Sequence, residues 1–217
     1  IRALKMHGGQ ALEDIRTLNV DALLKGTCNL KQHIENMKQY GLPVIVAINH
    51  FADDHKEEVE ALTSWCKKEG YSVTFLDGFL KGGEGSIDLA KEVVKTLNET
   101  TSHYHPLYDV ELPLEEKIEI IAKKIYHATH VEYTLEAKEQ MEKFKKMGYE
   151  YIPVCMAKTP QSFSDDPKVL GAPQDFTITV REVRLSAGAN FIVCLTGSIL
   201  TMPGLPKVPA AVKMEEE

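Results

Sequence analysis

Two short stretches carry side chains that could hold a flat, polar ligand. In PVIVAINHFADD (43–54) the apolar run Val44–Ile48 stops abruptly at Asn49, His50 and Phe51. An amide presents both a donor and an acceptor to a ring edge, and an aromatic ring at a strand end offers a face for stacking. In DGFLKGGEGS (77–86), Phe79 is followed by Lys81, Gly82 and Gly83, so a second ring, a cation and a glycine turn fall together. Glycines let backbone approach a ligand closely, and a turn that opens a helix aims N–H groups at an anion. Each stretch also has a plainer reading. The two rings could cap the core, and the glycines could form a tight connection in which Glu84 repels phosphate.

Other reactive types are placed less tellingly. His50 and His55 are separated by a loop, His103 and His105 form an HxH in a polar stretch, and His7 precedes Gly8-Gly9. None of these spacings fixes a metal geometry. Cys28, Cys66, Cys155 and Cys194 lie far apart with no CxxC, which points to reduced thiols. Cys155 and Cys194 sit inside apolar runs and are expected to pack as small core residues. No GxSxG elbow and no GxxxxGK[ST] loop occurs. NHFADD departs from a guanine-reading NKxD, because His50 replaces the lysine and Asp53 falls one place late, so a GTPase-like switch is a poor reading. Lys158-Thr159 could meet an anion, and Ser164–Pro167 reads as a turn.

These residues need elements to position them. Asn19–Tyr40 has helical spacing and stops at Gly41-Leu42-Pro43, after which 44–48 reads as a strand covered on both faces. A helix is predicted over Glu57–Glu69, a strand over Tyr71–Leu76, and a helix from Ile87 to about Leu97 with Ser86 or Asp88 near its N-cap. That rhythm makes βαβ units and a parallel sheet, whose ligands sit beyond the carboxyl ends of the strands. Asn49 and Phe79 then share one rim. After the polar stretch Thr100–Pro106, helices are predicted over Leu114–Tyr126 and Thr134–Met147, and strands over Ile152–Met156, Phe176–Arg181 and Phe191–Thr196. The proline-rich TMPGLPKVPA (201–210) should run extended, with Lys213–Glu217 frayed.

The chain has 217 residues, 43% hydrophobic and 26% charged, enough for a real core. Lys+Arg 25 against Asp+Glu 32 gives a net charge of -7, which argues against general binding to nucleic acid or an anionic membrane. No apolar stretch reaches the roughly 18 residues of a membrane span, and a cytoplasmic setting is expected. The chain opens IRALKMHGG without an initiator Met, and Ile1 already resembles the inside of an element, so a piece of a longer protein is expected.

Long strings resemble formate–tetrahydrofolate ligase (formyltetrahydrofolate synthetase): RALKMHGG (2–9), PVIVAINHF (43–51), KGGEG (81–85), PVCMAKTPQSFSDDP (153–167) and FTITVREVRLSAGANFIVCLTGSILTMPGLPKVPA (176–210). The resemblance implies an α/β fold. A parallel sheet with flanking helices, part of a P-loop NTPase-like family fold, would occupy 1–105, and a smaller mixed α/β C-terminal unit would occupy 106–217. It implies a reaction that couples ATP, formate and tetrahydrofolate into 10-formyltetrahydrofolate, ADP and phosphate through formyl phosphate. Magnesium, a monovalent cation such as potassium, and a homotetramer are implied with it. Phe51 falls on the family's pterin-lining aromatic, and Phe79 stands where the family usually has tryptophan. Asn49, Phe51, Phe79, Lys81, Gly82 and Gly83 are the expected substrate- and nucleotide-binding residues, with no catalytic or metal-binding residue in this chain. The family's phosphate loop belongs upstream of RALKMHGG, so the expectation is a C-terminal portion, inactive alone, partnered by the missing N-terminal region. The alternative is a non-catalytic ligand-binding or assembly module derived from the ligase.

Overall fold

A computed structural model describes residues 1–197 and 199. The expected extended tail, the frayed end and the last part of the longest resemblance string lie outside those residues. The first helix, α1 (Arg2–His7), packs on α2 (Val20–Lys38). Asn19 caps α2, its Oδ1 accepting from the Ala22 N–H at 2.9 Å, which satisfies one of the helix's orphan donors. Then come β1 (Ile45–Asn49), α3 (Lys56–Lys68) and β2 (Ser72–Leu76), a βαβ unit whose strands pair in parallel from Ile45↔Ser72 to Asn49↔Leu76. Leu4, Leu23, Ile34, Val46, Ile48, Leu62 and Cys66 form its core.

One expectation is corrected here. β1 is not covered on both faces: Val46 and Ile48 are buried, whereas Ala47 and Asn49 are exposed, so its apolar run is packed from one side. The glycine stretch leads into a helix at Ile87, as expected. A short helix α4 (Gly78–Lys81) and a 3-10 turn (Glu84–Ser86) precede α5 (Ile87–Glu99), and Ser86 makes no capping bond with its side chain.

The second half builds a four-stranded mixed sheet. Its elements are α6 (Leu114–Lys124), β3 (His130–Tyr133), α7 (Leu135–Lys146), β4 (Val154–Ala157), β5 (Thr177–Ser186) and β6 (Phe191–Thr196). The strand order is β3-β5-β6-β4, with β5 and β6 antiparallel and both outer strands parallel to their neighbours. Leu114 and Ile118 of α6 and Ala137 and Met141 of α7 pack on Val180, Val183, Ile192 and Cys194. Cys194 is buried as expected, but Cys155 is exposed, because it sits on the opposite face of a short outer strand. α/β architecture with a parallel sheet and flanking helices therefore describes the chain.

Polar side chains fasten the two halves. Asn36 of α2 and Gln39 just after it donate to the carbonyls of Ile125 and Lys124 at 2.6 and 2.8 Å, capping the C-terminal end of α6. Asn29 donates to the Gly171 carbonyl at 2.8 Å. The stretch Thr100–Pro106 is also tied down, with the His103 and His105 N–H groups donating to Gly41 and Tyr40. No helix among the described residues is long and apolar enough to cross a membrane.

Candidate functional site

The rim forms where β1 and β2 end side by side. The chain leaving β1 is pinned to β2 by the His50 N–H donating to the Leu76 carbonyl at 2.9 Å. It then turns sharply: the Phe51 N–H donates to Asp54 Oδ2 at 3.0 Å, and the Asp54 N–H to the Phe51 carbonyl at 2.9 Å. This closed turn presents the Phe51 ring outward. The chain leaving β2 is folded back on itself, since the Asp77 N–H donates to the Gly85 carbonyl at 3.0 Å. A Cβ at Gly85 would stand 2.2 Å from the Asp77 carbonyl oxygen, so only glycine fits there.

Asp77 organises the rim. Its side chain is buried, with Oδ2 accepting from Lys81 Nζ at 2.9 Å and Oδ1 lying 3.2 Å from His50 Nδ1. The Lys81 ammonium first, and the His50 imidazole second, hold its carboxyl below the usual carboxylate range. His50 in turn packs on Phe75 with ring centroids 4.7 Å apart. Lys81 is thus engaged with a carboxylate while its side chain stays largely exposed.

Phe51 and Phe79 are brought together, with centroids 6.4 Å apart and planes at 45°. A flat ring stacked between them needs roughly 3.5 Å on each side, about 7 Å in all. The tilted pair touches itself and takes a ligand only when Phe79 swings outward. Phe79 is 80% exposed on the short helix α4, so it has room to do so. The Arg2 guanidinium lies 4.5 Å from the Phe51 ring centroid and also pairs with Asp53. Asn49 is exposed at the end of β1, opposite Leu76. Gly82 has φ +55, and a Cβ at Gly82 or Gly83 would meet nothing within 4 Å, which leaves this turn open to close approach.

Three rim residues escaped the sequence reading of ligand contacts: Arg2, His50 and Asp77. Asp77 had a usable signal, since it follows β2 as His50 follows β1. Arg2 had none within its own helix. The donor set does not fit a magnesium site: both oxygens of Asp77 are committed, and no group of three His, Cys, Asp or Glu among the described residues could hold a metal. The largest of the cavities described, about 860 Å³ and lined by Tyr40, Tyr104, Tyr108 and Tyr126, involves none of the rim residues.

The model of the family described as formate–tetrahydrofolate ligase matches residues 1–217. The chain belongs to that family. Formate–tetrahydrofolate ligases join formate to tetrahydrofolate. Outside the rim, His7 and Lys158 make hydrogen bonds within the fold. His7 Nδ1 accepts from the Gly171 N–H at 3.1 Å. Lys158 Nζ donates to the carbonyls of Thr159, Ser162 and Ser164, so its protons are taken and it cannot itself donate to an anion without leaving them. Ser164 and Asp166 close successive turns as their sequence suggested, through Asp166 N–H to Ser164 Oγ at 3.2 Å and Lys168 N–H to Asp166 Oδ1 at 2.9 Å.

Proposed function

We propose that this chain supplies the folate- and nucleotide-facing rim of an ATP-dependent ligase that joins formate to tetrahydrofolate. The products are 10-formyltetrahydrofolate, ADP and phosphate, with formyl phosphate as the intermediate. The single observation that supports this assignment is the paired rings of Phe51 and Phe79 at the strand-end rim of a chain in this family. In the proposal these rings take the pterin between them, Asn49 addresses its polar edge, and the Lys81–Gly83 turn faces the nucleotide. All of these roles are positioning, and no proton transfer is assigned to any of them. No magnesium ligand is assigned among the described residues. Residues 1–105 act as part of the nucleotide- and folate-binding unit, with 106–217 a smaller unit fastened to it. A homotetramer in the cytoplasm, with a monovalent cation, completes the proposal and rests on family membership alone.

The test is steady-state kinetics of the full-length enzyme carrying Phe51→Ala. Stacking of a heterocycle on an aromatic side chain is worth about 1–3 kcal/mol, so the folate KM should rise by about tenfold or more. The formate KM should hold. An unchanged folate KM overturns the assignment.

A further inference from the structure

A second cavity lies where the two halves meet, remote in sequence from the Phe51–Phe79 rim. It encloses about 310 Å³, at the small end of ligand sites, and is lined by His7, Asn29, His33, Asn36, Lys158 and Thr159 among others. Its composition is one-sided. In a chain of net charge -7, two imidazoles and an ammonium line one space, and no carboxylate lines it.

The hydrogen bonding defines what each group can still do. His7 Nδ1 accepts from the Gly171 N–H, so its ring proton sits on Nε2. That N–H has no partner among the described residues. His33 is held by its ring, 4.6 Å from that of Phe163, and neither of its nitrogens has a hydrogen-bond partner among the described residues. The Thr159 hydroxyl accepts from the Gln161 N–H at 3.3 Å, which leaves its own proton to donate. Lys158 has its protons on three carbonyls, so it contributes charge rather than a free donor.

We propose that this cavity binds a small oxyanion, of the phosphate or carboxylate type, through His7, His33 and Thr159, with the Lys158 ammonium as counter-charge. Burial and mutual repulsion disfavour positive charge on these groups, and a bound anion would offset both. Burial and then the His33 ring push His7 down, while burial and then Lys158 push His33 down. Burial drops Lys158 to about 8, with Asp165 opposing. Asp165 is the one carboxylate acting on the group, and it lies outside the lining, its Oδ2 accepting from the Thr179 N–H at 3.0 Å. The facing groups are therefore His7 from α1, His33, Asn29 and Asn36 from α2, Tyr126 beyond α6, and Lys158 and Thr159 beyond β4.

Because His7 keeps its Gly171 bond only while Nδ1 is unprotonated, His33 is the ring that gains the proton on binding. Anion affinity should then rise as pH falls through the imidazole range.

The experiment is an NMR titration of the purified protein, following the ring protons of His7 and His33, with inorganic phosphate, sulfate and formate as separate probes. Saturable shifts at both rings are expected, together with a raised His33 pKa. Sulfate, whose charge is constant, should bind more tightly at about pH 5.5 than at about pH 7.5. Saturation by phosphate and sulfate only assigns a tetrahedral ligand, and saturation by formate only assigns a carboxylate. Saturation by all three assigns the shared chemistry. His33→Gln should weaken binding about tenfold, the size of one charge-assisted hydrogen bond, with the fold checked by circular dichroism. Phe51→Ala should leave the isotherm unchanged, which separates this site from the rim. Shifts that grow without saturating for every probe, or equal affinity in His33→Gln, overturn the proposal.

Discussion

At the residue scale the rim depends on backbone that only glycine can supply at one place and tolerates at another. Gly85 must lack a Cβ because the Asp77 carbonyl occupies that space, whereas Gly83 has helical φ and ψ and open surroundings. Gly85→Ala should therefore destabilise the protein by about 2 kcal/mol or more, as overpacking against rigid backbone does, with the loss read from urea unfolding. Gly83→Ala should leave the unfolding midpoint unchanged within about 0.5 kcal/mol. If the turn faces the nucleotide as proposed, the same substitution raises the ATP KM of the full-length enzyme. The contrast also marks what sequence could disclose. Phe51, Phe79 and the glycines are legible because aromatic and glycine types at strand ends are unusual. Arg2 over Phe51 is a contact between residues distant in the chain, and no local pattern encodes it.

At the element scale the longer helices α2, α3, α5, α6 and α7 and most strands are legible to within a few residues, because their apolar spacing and stop signals are local, whereas the short α1 and α4 carry too few residues to show a period. β3 was missed: His130–Tyr133 is four residues long and only half-buried, so it carries too short an alternation to register. The sequence predicts β5 to end at Arg181, but it continues to Ser186, since Glu182 and Arg184 look like loop residues until a bulge between Val180 and Glu182 lets them pair with Leu195 and Val193. Lys117 is a further case. It stands on the buried side of α6, fully enclosed, where sequence alone would place it in solvent. Its Nζ donates to the carbonyls of Val110, Glu150 and Ile152 at 3.0, 2.7 and 2.9 Å. Burial pulls its pKa down, with the charges of Glu150 and then Glu111 opposing. It ties the segment before α6 to the approach to β4. Lys117→Met keeps the stem and removes the donors, leaving three buried acceptors, and should cost about 3 kcal/mol or more by urea unfolding. A loss under about 1 kcal/mol would mean that water replaces the ammonium there.

At the scale of the whole molecule, the halves are joined across a seam that works with neutral imidazoles. His7 reaches from α1 to the Gly171 N–H, and His127 Nε2 lies 2.9 Å from Asn36 Oδ1 of α2. Burial pushes His7 and His127 below the ordinary imidazole value, and His33 beside them also, although His33 is more exposed and contributes least. For a histidine whose folded value is lowered, the unfolded chain takes up a proton that the folded one refuses. Stability is then full above the unfolded value near 6.5 and is lost as pH falls from there toward the folded value. Asp77 acts in a separate, more acidic window, because its folded value lies below 3.8 and its contribution fades only as pH drops through that range. The unfolding free energy should therefore be level above about pH 7 and decline as pH falls below about 6.5. His7→Asn keeps an acceptor for the Gly171 N–H and removes the titrating ring. Urea unfolding at a series of pH values should show a shallower decline in that variant. A wild-type profile that stays flat to pH about 5 would show that these rings protonate without cost and that the seam is not held by their neutral forms.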